Sequence, residues 1–572
     1  MVDRGYRVVM PTVVRTPKAK LWVEFWSPLA ISALIFLVAQ NWSGLDTPDS
    51  EFYASLAIFT EQVTDRAPID SYYWTRLGMI VPAHAGISIL GIWEGFAVYK
   101  ALLIVIFTSS LFSISRRFTG FWRATWLTAA AASSSIVVAY FGNPYVSATV
   151  IAGLAGLLAL SLREDTPGAI GSGVALGWLA MTYPTGALLG TIMWVSLRIY
   201  LRSTNTVTWR QTLKRLAMTA GTLVLTFGIF WLFGRLLFPS LNWWQTFIEA
   251  SAQDHAVFGS GDWVWLRDIS LLVPASTLIL TLINSRKATH QVPADLALIA
   301  SSSSIAFYLA FAPIFGAQFL EAPLHQVLIW PPTLIAIILV AASRMIDSPP
   351  RTSAMILVAT VSAAVILAAG WLAPGLSFPV GVAISITTTA VVLVAPQRTV
   401  VTILTVALFL TGAQLLQNSR PQLGTFMLDP YYWAFTSNPN EEKLRTAVNA
   451  QRWLVDNTSP DDRLLLWVDG PWREGDRELY SVAAMQLWGE NRLTLEPTLS
   501  DDYGLNKLSE IQPTALVLYG KSMDAVWAFW DSIPRQLDPS PPQCYDFTWP
   551  TDPTSAFPTS VGHTCIVRLT KG

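Results

Sequence analysis

Residues 44–78 read GLDTPDSEFYASLAIFTEQVTDRAPIDSYYWTRLG, and they follow the first long apolar run of the chain, residues 21–40, which read LWVEFWSPLAISALIFLVAQ. The apolar run is long enough to cross roughly 30 Å of hydrocarbon as a helix. The residues before it carry five basic side chains and one acidic side chain, a composition typical of a cytoplasmic N-terminus. No small-residue cleavage site follows the run, so we expect an uncleaved first span with residues 44–78 on the outer side.

The composition of the whole chain is that of a polytopic α-helical membrane protein. Of its 572 residues, 52% are hydrophobic and 13% are charged, whereas soluble domains average about 25% charged residues. The 25 tryptophans suit a chain with many membrane–water interfaces. A net charge of −1 gives no indication of a nucleic-acid partner, and 5 histidines with 2 cysteines leave little material for a zinc or thiolate site.

Apolar runs of span length recur as far as residue 416 and predict about thirteen transmembrane helices. The predicted spans are residues 21–40, 92–113, 121–140, 145–162, 168–181, 184–201, 216–238, 269–283, 296–311, 324–342, 353–372, 378–394 and 399–416. Basic residues recur on alternate connections, which predicts that those connections are cytoplasmic. We therefore expect a multi-pass cell-membrane protein with its N-terminus in the cytoplasm and its C-terminal part outside.

The first outer loop, about residues 41–91, contains two apolar stretches with helical spacing. Residues 50–60 predict a short helix that lies in the membrane interface. Residues 71–90 predict a second interfacial helix, broken at Pro82. Together with the spans, this loop completes a predicted membrane domain over residues 1–417.

Residues 418–572 have the composition of a soluble domain, with no apolar run of span length. Helical periodicity appears at residues 441–455 and 505–511. Four short apolar runs predict strands at residues 463–468, 492–495, 515–519 and 565–569. This alternation predicts an extracytoplasmic α/β domain. A structural disulfide between Cys544 and Cys565 could form on an oxidising side of the membrane.

Three carboxylates, Asp46, Asp49 and Glu51, stand within six residues in the first outer loop. A carboxylate near the membrane surface can act as a general base on an acceptor hydroxyl. Two of them, Asp46 and Asp49, could instead hold a divalent cation, Mg²⁺ or Mn²⁺, that neutralises a departing phosphate. The alternative is a solvated acidic loop that simply follows the topology rules.

The segment PDSEFYASLA after the first span, with YYWTRLG at the end of the loop, resembles the first extracytoplasmic loop of GT-C-fold glycosyltransferases. Protein mannosyltransferases and the aminoarabinose transferase of lipid A are examples of this superfamily. The resemblance implies a lipid-linked sugar donor and a catalytic acid in this loop. It assigns the general base to Asp49, with Asp46 and Glu51 as neighbours or metal ligands. A clean Asp-Glu or Asp-x-Asp pair is lacking, so any of the three could be the base.

Three groups are candidates for binding the donor phosphate. Arg76 lies in the YYWTRLG segment, and its forked donors suit phosphate oxygens. Lys100, about two turns into the second span, either faces a polar cavity, pairs with Glu94 or lies in the bundle interior. Glu321 could support His325 beside a phosphate, although both could merely cap a helix. We favour Arg76.

Residues 242–266 hold four tryptophans together with acidic side chains. Indole faces beside carboxylates can hold sugars, but the same composition is typical of a membrane-interface belt. We favour the belt.

The resemblance implies a glycosyltransferase that moves a hexosyl or pentosyl group from a polyprenyl-phosphate donor, with inversion, to a cell-envelope glycan, lipid or protein. A transporter or flippase for a lipid-linked intermediate is the first alternative, but such a protein often carries repeated halves, and no internal repeat is visible. A non-catalytic envelope scaffold is the second, and it leaves the carboxylate cluster without a role.

Overall fold

The structure is a computed structural model. It describes residues 18–38, 53, 56–57, 75–132, 137, 140–141, 146–204, 208–239, 242–248, 272–287, 291–315, 328, 330–345, 449–450, 453–454, 456–459, 461–468, 508, 512–520, 522–548 and 561–570. The part before residue 346 is helical. Its helices are α1 (Lys18–Val38), α2 (Leu77–Leu90), α3 (Ile92–Phe118), α4 (Phe121–Ala132), α5 (Val146–Ser161), α6 (Thr166–Thr182), α7 (Pro184–Ser203), α8 (Trp209–Leu237), α9 (Leu272–Lys287), α10 (Gln291–Phe315) and α11 (Trp330–Met345).

Each predicted span up to residue 342 coincides with one of these helices. Among the helix starts, the largest difference is at α8, which begins at Trp209 rather than at residue 216. Thr208 and Gln211 form a reciprocal capping box there, and their side chains bond each other's backbone N–H groups at 3.3 and 3.0 Å. The helix therefore starts before its apolar stretch does. The predicted spans 353–372, 378–394 and 399–416 lie outside the described residues, so the count of thirteen stays a prediction.

Length and apolar composition single out two of the described stretches as able to cross a membrane. These are Glu94–Phe118 and Trp209–Leu237. Five shorter apolar helices accompany them. Five of the ten helices that coincide with predicted spans, namely α4, α5, α6, α9 and α11, are 12 to 17 residues long, which is shorter than the roughly 20 residues of an untilted membrane crossing.

The predicted break at Pro82 is wrong, because α2 continues through that residue. Proline has no backbone N–H, so the carbonyl of Gly78, four residues earlier, cannot receive the usual helical hydrogen bond. The indole Nε1 of Trp178, on α6, donates to that carbonyl at 2.7 Å instead. A tertiary contact thus replaces the bond that the proline removes. At its other end, α2 joins α3 through Gly91 alone, whose φ of +93° favours glycine.

Helices α6 and α8 pack closely because small residues face each other. A Cβ added to Gly177 would lie 2.7 Å from the Cβ of Thr226 and 2.8 Å from the carbonyl oxygen of Leu223. A Cβ added to Gly173 would overlap the Thr222 hydroxyl. Such small-residue interfaces let helix backbones approach each other within a membrane.

Ion pairs gather at one end of the helical bundle. Arg116 of α3 contacts Glu24 of α1 at 2.8 Å, and Glu164, between α5 and α6, contacts Arg215 of α8 at 2.6 Å and Arg198 of α7 at 3.6 Å. These five residues form what we call the charged end. The basic residues on alternate connections predict such a gathering of charged side chains at one end of the bundle.

Neighbouring contacts tie the charged end to the rest of the bundle. Arg117 donates to the carbonyl of Leu162, which links α3 to the connection between α5 and α6. Asp165 caps α6 by accepting from the N–H of Gly168 at 2.9 Å. The Arg163 guanidinium, which hydrogen-bonds Asp165, lowers the pKa of that carboxyl below its usual value and keeps the cap ionised.

The part after residue 448 contains a four-stranded sheet in the order β1-β2-β4-β3. Its strands are β1 (Leu464–Val468), β2 (Ala515–Gly520), β3 (Gln543–Thr548) and β4 (Val561–Arg568). β1 and β2 are parallel, and the other two pairs are antiparallel. Helix α12 (Met523–Ser532) packs Phe529 against Trp467, with ring centroids 4.3 Å apart.

β1 and β2 match predicted strands, β4 begins before the predicted residue 565, and the sequence did not indicate β3 or α12. Cys544 and Cys565 face each other across β3 and β4 and are joined by a disulfide. The predicted strand 492–495 and the domain boundary at residues 417 and 418 lie outside the described residues.

We predict that Gly173→Ala lowers the stability of the protein by about 1–3 kcal/mol, the usual cost of overpacking a tight interior. The matched control is Gly228→Ala on α8, where an added Cβ meets no atom within 4 Å. Thermal unfolding of both purified variants in one detergent measures the difference. Equal unfolding temperatures would contradict the close packing of α6 and α8.

We predict that Glu164→Gln destabilises the protein by about 3 kcal/mol, because it leaves the buried Arg198 without its carboxylate. Asp531→Asn is the control, since it removes an exposed pair with Arg535 that is worth about 0–1 kcal/mol. The same thermal measurement compares them. If both variants unfold alike, the charged end contributes nothing to stability.

Candidate functional site

Two of the predicted phosphate ligands can be placed in the structure, whereas the acidic cluster cannot. Asp46, Asp49 and Glu51 lie outside the described residues, and so do Glu321 and His325. Their assigned roles stay predictions. The structure does describe Arg76 and Lys100, together with Tyr53, Leu56 and Ala57, which follow the acidic cluster in the sequence and are helical.

Arg76 stands immediately before α2 and is buried, with 9% of its surface exposed. Its carbonyl accepts from the N–H groups of Met79 and Ile80 at 2.9 and 3.1 Å, so its backbone is fixed to the first turn of α2. Its guanidinium carbon lies 5.0 Å from the ring centroid of Tyr183, within the range of a cation–π interaction. Tyr183 is itself buried between α6 and α7. The arginine is therefore held in a fixed place by its backbone and by its ring contact.

Two indole groups hold the backbone on either side of Arg76. Trp243 Nε1 donates to the carbonyl of Thr75 at 3.3 Å, and Trp178 Nε1 donates to the carbonyl of Gly78. Trp243 also stacks on Phe247, with ring centroids 5.2 Å apart and planes 5° apart. Long-range hydrogen bonds from bulky rings therefore fix residues 75–78.

These contacts bear on whether Trp243 belongs to a sugar platform or to a membrane-interface belt. Its ring is 4% exposed and packs within an aromatic cluster. A buried ring cannot stack on a sugar, so Trp243 does not fit the sugar platform, the less favoured of the two interpretations. Trp244, which is 54% exposed, fits the favoured interface belt. Residues 249–266 of that loop lie outside the described residues.

The chain just after the acidic cluster packs on α2. Leu56 belongs to the same buried cluster as Leu77 and Ile80 of α2. Tyr53 and Ala57 are each 0% exposed and belong to the main core. We call Tyr53, Leu56 and Ala57 the loop segment. Helix α2 thus carries Arg76 at its start and the loop segment on its surface.

A histidine that the sequence analysis did not single out connects the loop segment to α2. His84 Nδ1 lies 3.0 Å from the carbonyl oxygen of Ala57. Its Nε2 lies 3.1 Å from the Oγ of Ser88. The feature of the sequence that could have indicated this contact is a histidine within the mostly apolar helix Leu77–Leu90.

Lys100 is half-buried on α3, with its Nζ 5.5 Å from the ring centroid of Phe36 on α1. Glu94, in the first turn of α3, is exposed. No ion pair between Glu94 and Lys100 occurs in the described part of the chain, so the predicted pairing of these two residues is wrong. The other two interpretations of Lys100 stay open.

The candidate site lies at the end of the bundle opposite the charged end. Helix α6 runs from Asp165, beside Glu164, to Tyr183, beside Arg76. Its 17 residues correspond to about 26 Å of helix. Among the described residues there is no group of three or more metal-ligating side chains. A cation held by Asp46 and Asp49 stays a prediction.

No protein-family model matches the sequence, and no curated protein matches it significantly. Solved structures do match. The crystal structure of ArnT from Cupriavidus metallidurans bound to undecaprenyl phosphate superposes with a TM-score of 0.56 at 14% sequence identity, over 96% of this chain and 98% of that chain. The apo crystal structure of the same protein gives a TM-score of 0.54 over the same shares.

The match extends over nearly the whole of both chains, so it includes the helical part and the part that follows. It confirms, at the level of the fold, the resemblance that the first outer loop indicates. The chain therefore has the fold of ArnT.

Proposed function

We propose that the protein is a membrane glycosyltransferase that takes a sugar from a polyprenyl-phosphate donor and transfers it to an acceptor of the cell envelope. The observation that carries the proposal is the buried Arg76 guanidinium at the start of α2, the helix on which the loop segment packs, in a chain with the ArnT fold. One of the matching ArnT structures is bound to undecaprenyl phosphate, which supports a lipid of this class as the donor carrier.

The proposed reaction places the donor phosphate at Arg76. The acceptor hydroxyl oxygen attacks the anomeric carbon, the bond from that carbon to the phosphate oxygen breaks, and polyprenyl phosphate leaves. Asp49 takes the hydroxyl proton, and the attack inverts the anomeric configuration. Arg76 stabilises the charge that grows on the phosphate, because its forked donors match phosphate oxygens and its position needs no reorganisation. Lys100 and His325, supported by Glu321, are further candidates for phosphate contact.

The remaining parts of the proposal concern the substrate and the topology. The sugar is a hexose or a pentose, and the acceptor is a glycan, a lipid or a protein. The N-terminus is cytoplasmic, and the C-terminal sheet lies outside, where the Cys544–Cys565 disulfide is compatible with an oxidising compartment. A flippase for the lipid-linked sugar is the alternative, and it would move the lipid without breaking the bond to the sugar.

We expect Asp49→Asn to reduce sugar transfer by about 10²–10⁴-fold, the usual contribution of a general base. The assay follows transfer from radiolabelled polyprenyl-phosphate sugars to an envelope extract, and Glu61→Gln in the same loop is the control. Wild-type transfer by Asp49→Asn would move the base to Asp46 or Glu51. If wild type moves labelled lipid across vesicles but transfers no sugar from any donor, the flippase is the correct reading.

Removal of metal ions is a separate arm of this assay. If Asp46 and Asp49 hold Mg²⁺ or Mn²⁺, we expect EDTA to abolish transfer and either ion to restore it. Transfer that continues in EDTA would exclude an exchangeable cation and leave both carboxylates with proton-transfer or positioning roles.

We expect Arg76→Gln to weaken binding of undecaprenyl phosphate by about 10- to 100-fold, the range for losing hydrogen bonds to a charged group. Binding to the purified protein is measured directly, so the result does not depend on knowing the sugar. Arg210→Gln, an exposed arginine on the first turn of α8, is the control. Equal affinities in both variants would remove Arg76 from the phosphate site.

A further inference from the structure

We propose that the exposed face of helix α12, together with the short turn that follows it, binds neutral sugar units of an acceptor glycan. The face consists of Trp527, Asp531 and Arg535, which follow one another at intervals of four residues, and we call it the α12 stripe. The inference rests on the proposed function, because it takes the acceptor to be a glycan and the sheet to lie outside the membrane.

Trp527 lies outside the core that holds α12 on the sheet. Val526 and Phe529 of the same helix are buried in that core. In the part of the chain that the structure describes after residue 448, Trp527 is the one large apolar side chain that is exposed, with 40% of its surface accessible. Its ring is therefore available to a ligand.

The ring of Trp527 is held in place by a second tryptophan. Trp530 Nε1 donates to the carbonyl of Ser540 at 2.7 Å, which anchors the Trp530 ring. The Trp527 ring meets it at 88°, with ring centroids 5.4 Å apart, and aromatic pairs favour this T-shaped arrangement. A bulky side chain that is already ordered loses little further freedom when a ligand binds.

The other two residues of the α12 stripe supply hydrogen-bonding groups. The Arg535 guanidinium carbon lies 4.4 Å from the centroid of the Trp530 ring, and its Nη2 donates to Asp531 Oδ1 at 3.1 Å. The two side chains are 60% and 67% exposed, so their other N–H groups and lone pairs reach solvent. A sugar hydroxyl both donates and accepts, so this pair can bind neighbouring hydroxyl groups.

The surroundings of the α12 stripe favour a glycan over a protein or a membrane surface. A specific protein interface usually buries about 800 Å² on each partner around an apolar core, and the stripe offers one large apolar side chain. An anionic membrane surface attracts basic segments. The exposed charges within residues 522–538 are instead mostly acidic, with Asp524, Asp531 and Asp538 against Arg535. A sugar ring, which has an apolar C–H face and a hydroxyl rim, matches the stripe better.

The first test measures binding of short, neutral arabinan, galactan, mannan and glucan oligosaccharides to the purified full-length protein in detergent. For an oligosaccharide that binds wild type, we expect Trp527→Ala to weaken binding by about 10-fold or more, as truncation of a central tryptophan does. Trp527→Phe keeps an aromatic face and should retain most of the affinity. Arg535→Gln should also weaken binding, because glutamine lacks the forked donors. Trp244→Ala, which removes an exposed tryptophan of the helical part, is the control.

The second test uses the bound oligosaccharide as the acceptor in the transfer assay. We expect Trp527→Ala to raise the KM for the acceptor by about 10-fold, with kcat and the KM for the donor unchanged, because only acceptor binding is lost. A lipid contact is tested separately in nanodiscs, where brominated lipids quench tryptophans that touch the membrane. We expect the fluorescence that Trp527→Ala lacks relative to wild type to escape this quenching.

Any of the following results would overturn the proposal: no oligosaccharide binds wild type, Trp527→Ala binds it as tightly as wild type does, the KM for the acceptor stays unchanged, or the fluorescence of Trp527 is quenched by brominated lipids. Failure of the proposed function gives a different result, since wild type would then transfer no sugar from any donor. Oligosaccharide binding needs no donor, so in that case its dependence on Trp527 still decides whether the α12 stripe binds a glycan.

Discussion

The hydrogen bond from the Trp178 indole to the Gly78 carbonyl is the contact on which the placement of α2 depends. Pro82 removes the helical bond that this carbonyl would otherwise accept, and a carbonyl buried without a donor costs about 1–3 kcal/mol. The residue that removes the helical hydrogen bond, Pro82, and the residue that replaces it, Trp178, are thus far apart in the chain. Gly78 also allows close approach, since an added Cβ would lie 2.8 Å from the carbonyl oxygen of Trp178. Helix α2 is consequently tied to α6 at the turn that follows Arg76.

The two ends of the bundle use polar groups in different ways. At the charged end, the carboxylates of Glu24 and Glu164 pair with three guanidinium groups, those of Arg116, Arg198 and Arg215. At the other end, the Arg76 guanidinium lies over the ring of Tyr183, which attracts a cation. The proposed function puts the donor phosphate at this end, where Arg76 begins the helix on which the loop segment packs.

The sequence predicted the parts of the structure that depend on local pattern. Apolar runs located the helices up to α11 and strands β1 and β2, because burial in lipid or in a sheet core imposes a pattern on neighbouring residues. It misplaced the start of α8, since a capping box extends a helix beyond its apolar stretch. It missed β3, because three of its six residues are exposed and it carries no continuous apolar run.

The candidate site was predicted only in part for a similar reason. Arg76 was found because the segment around it resembles a known loop. Tyr183 and Trp178 were not found, because they reach Arg76 and Gly78 across a large sequence separation. His84 contacts the loop segment, but a single histidine in an apolar helix does not reveal its partner in advance. Such contacts form when distant segments pack together, and the spacing of neighbouring residues in the sequence does not reveal them.

The single-residue connection at Gly91 has a mechanical consequence for substrate access. Because only Gly91 separates α2 from α3, Arg76 cannot move by itself. Its movement must either bend α2 or displace all 27 residues of α3. Bending α2 is opposed by the contacts to Trp178 and to the loop segment. The proposed phosphate ligand is therefore preorganised. Under the proposed function, adaptation to different acceptors comes from the segments that approach α2, and acceptor choice can vary there while the proposed contact of Arg76 with the lipid carrier stays the same.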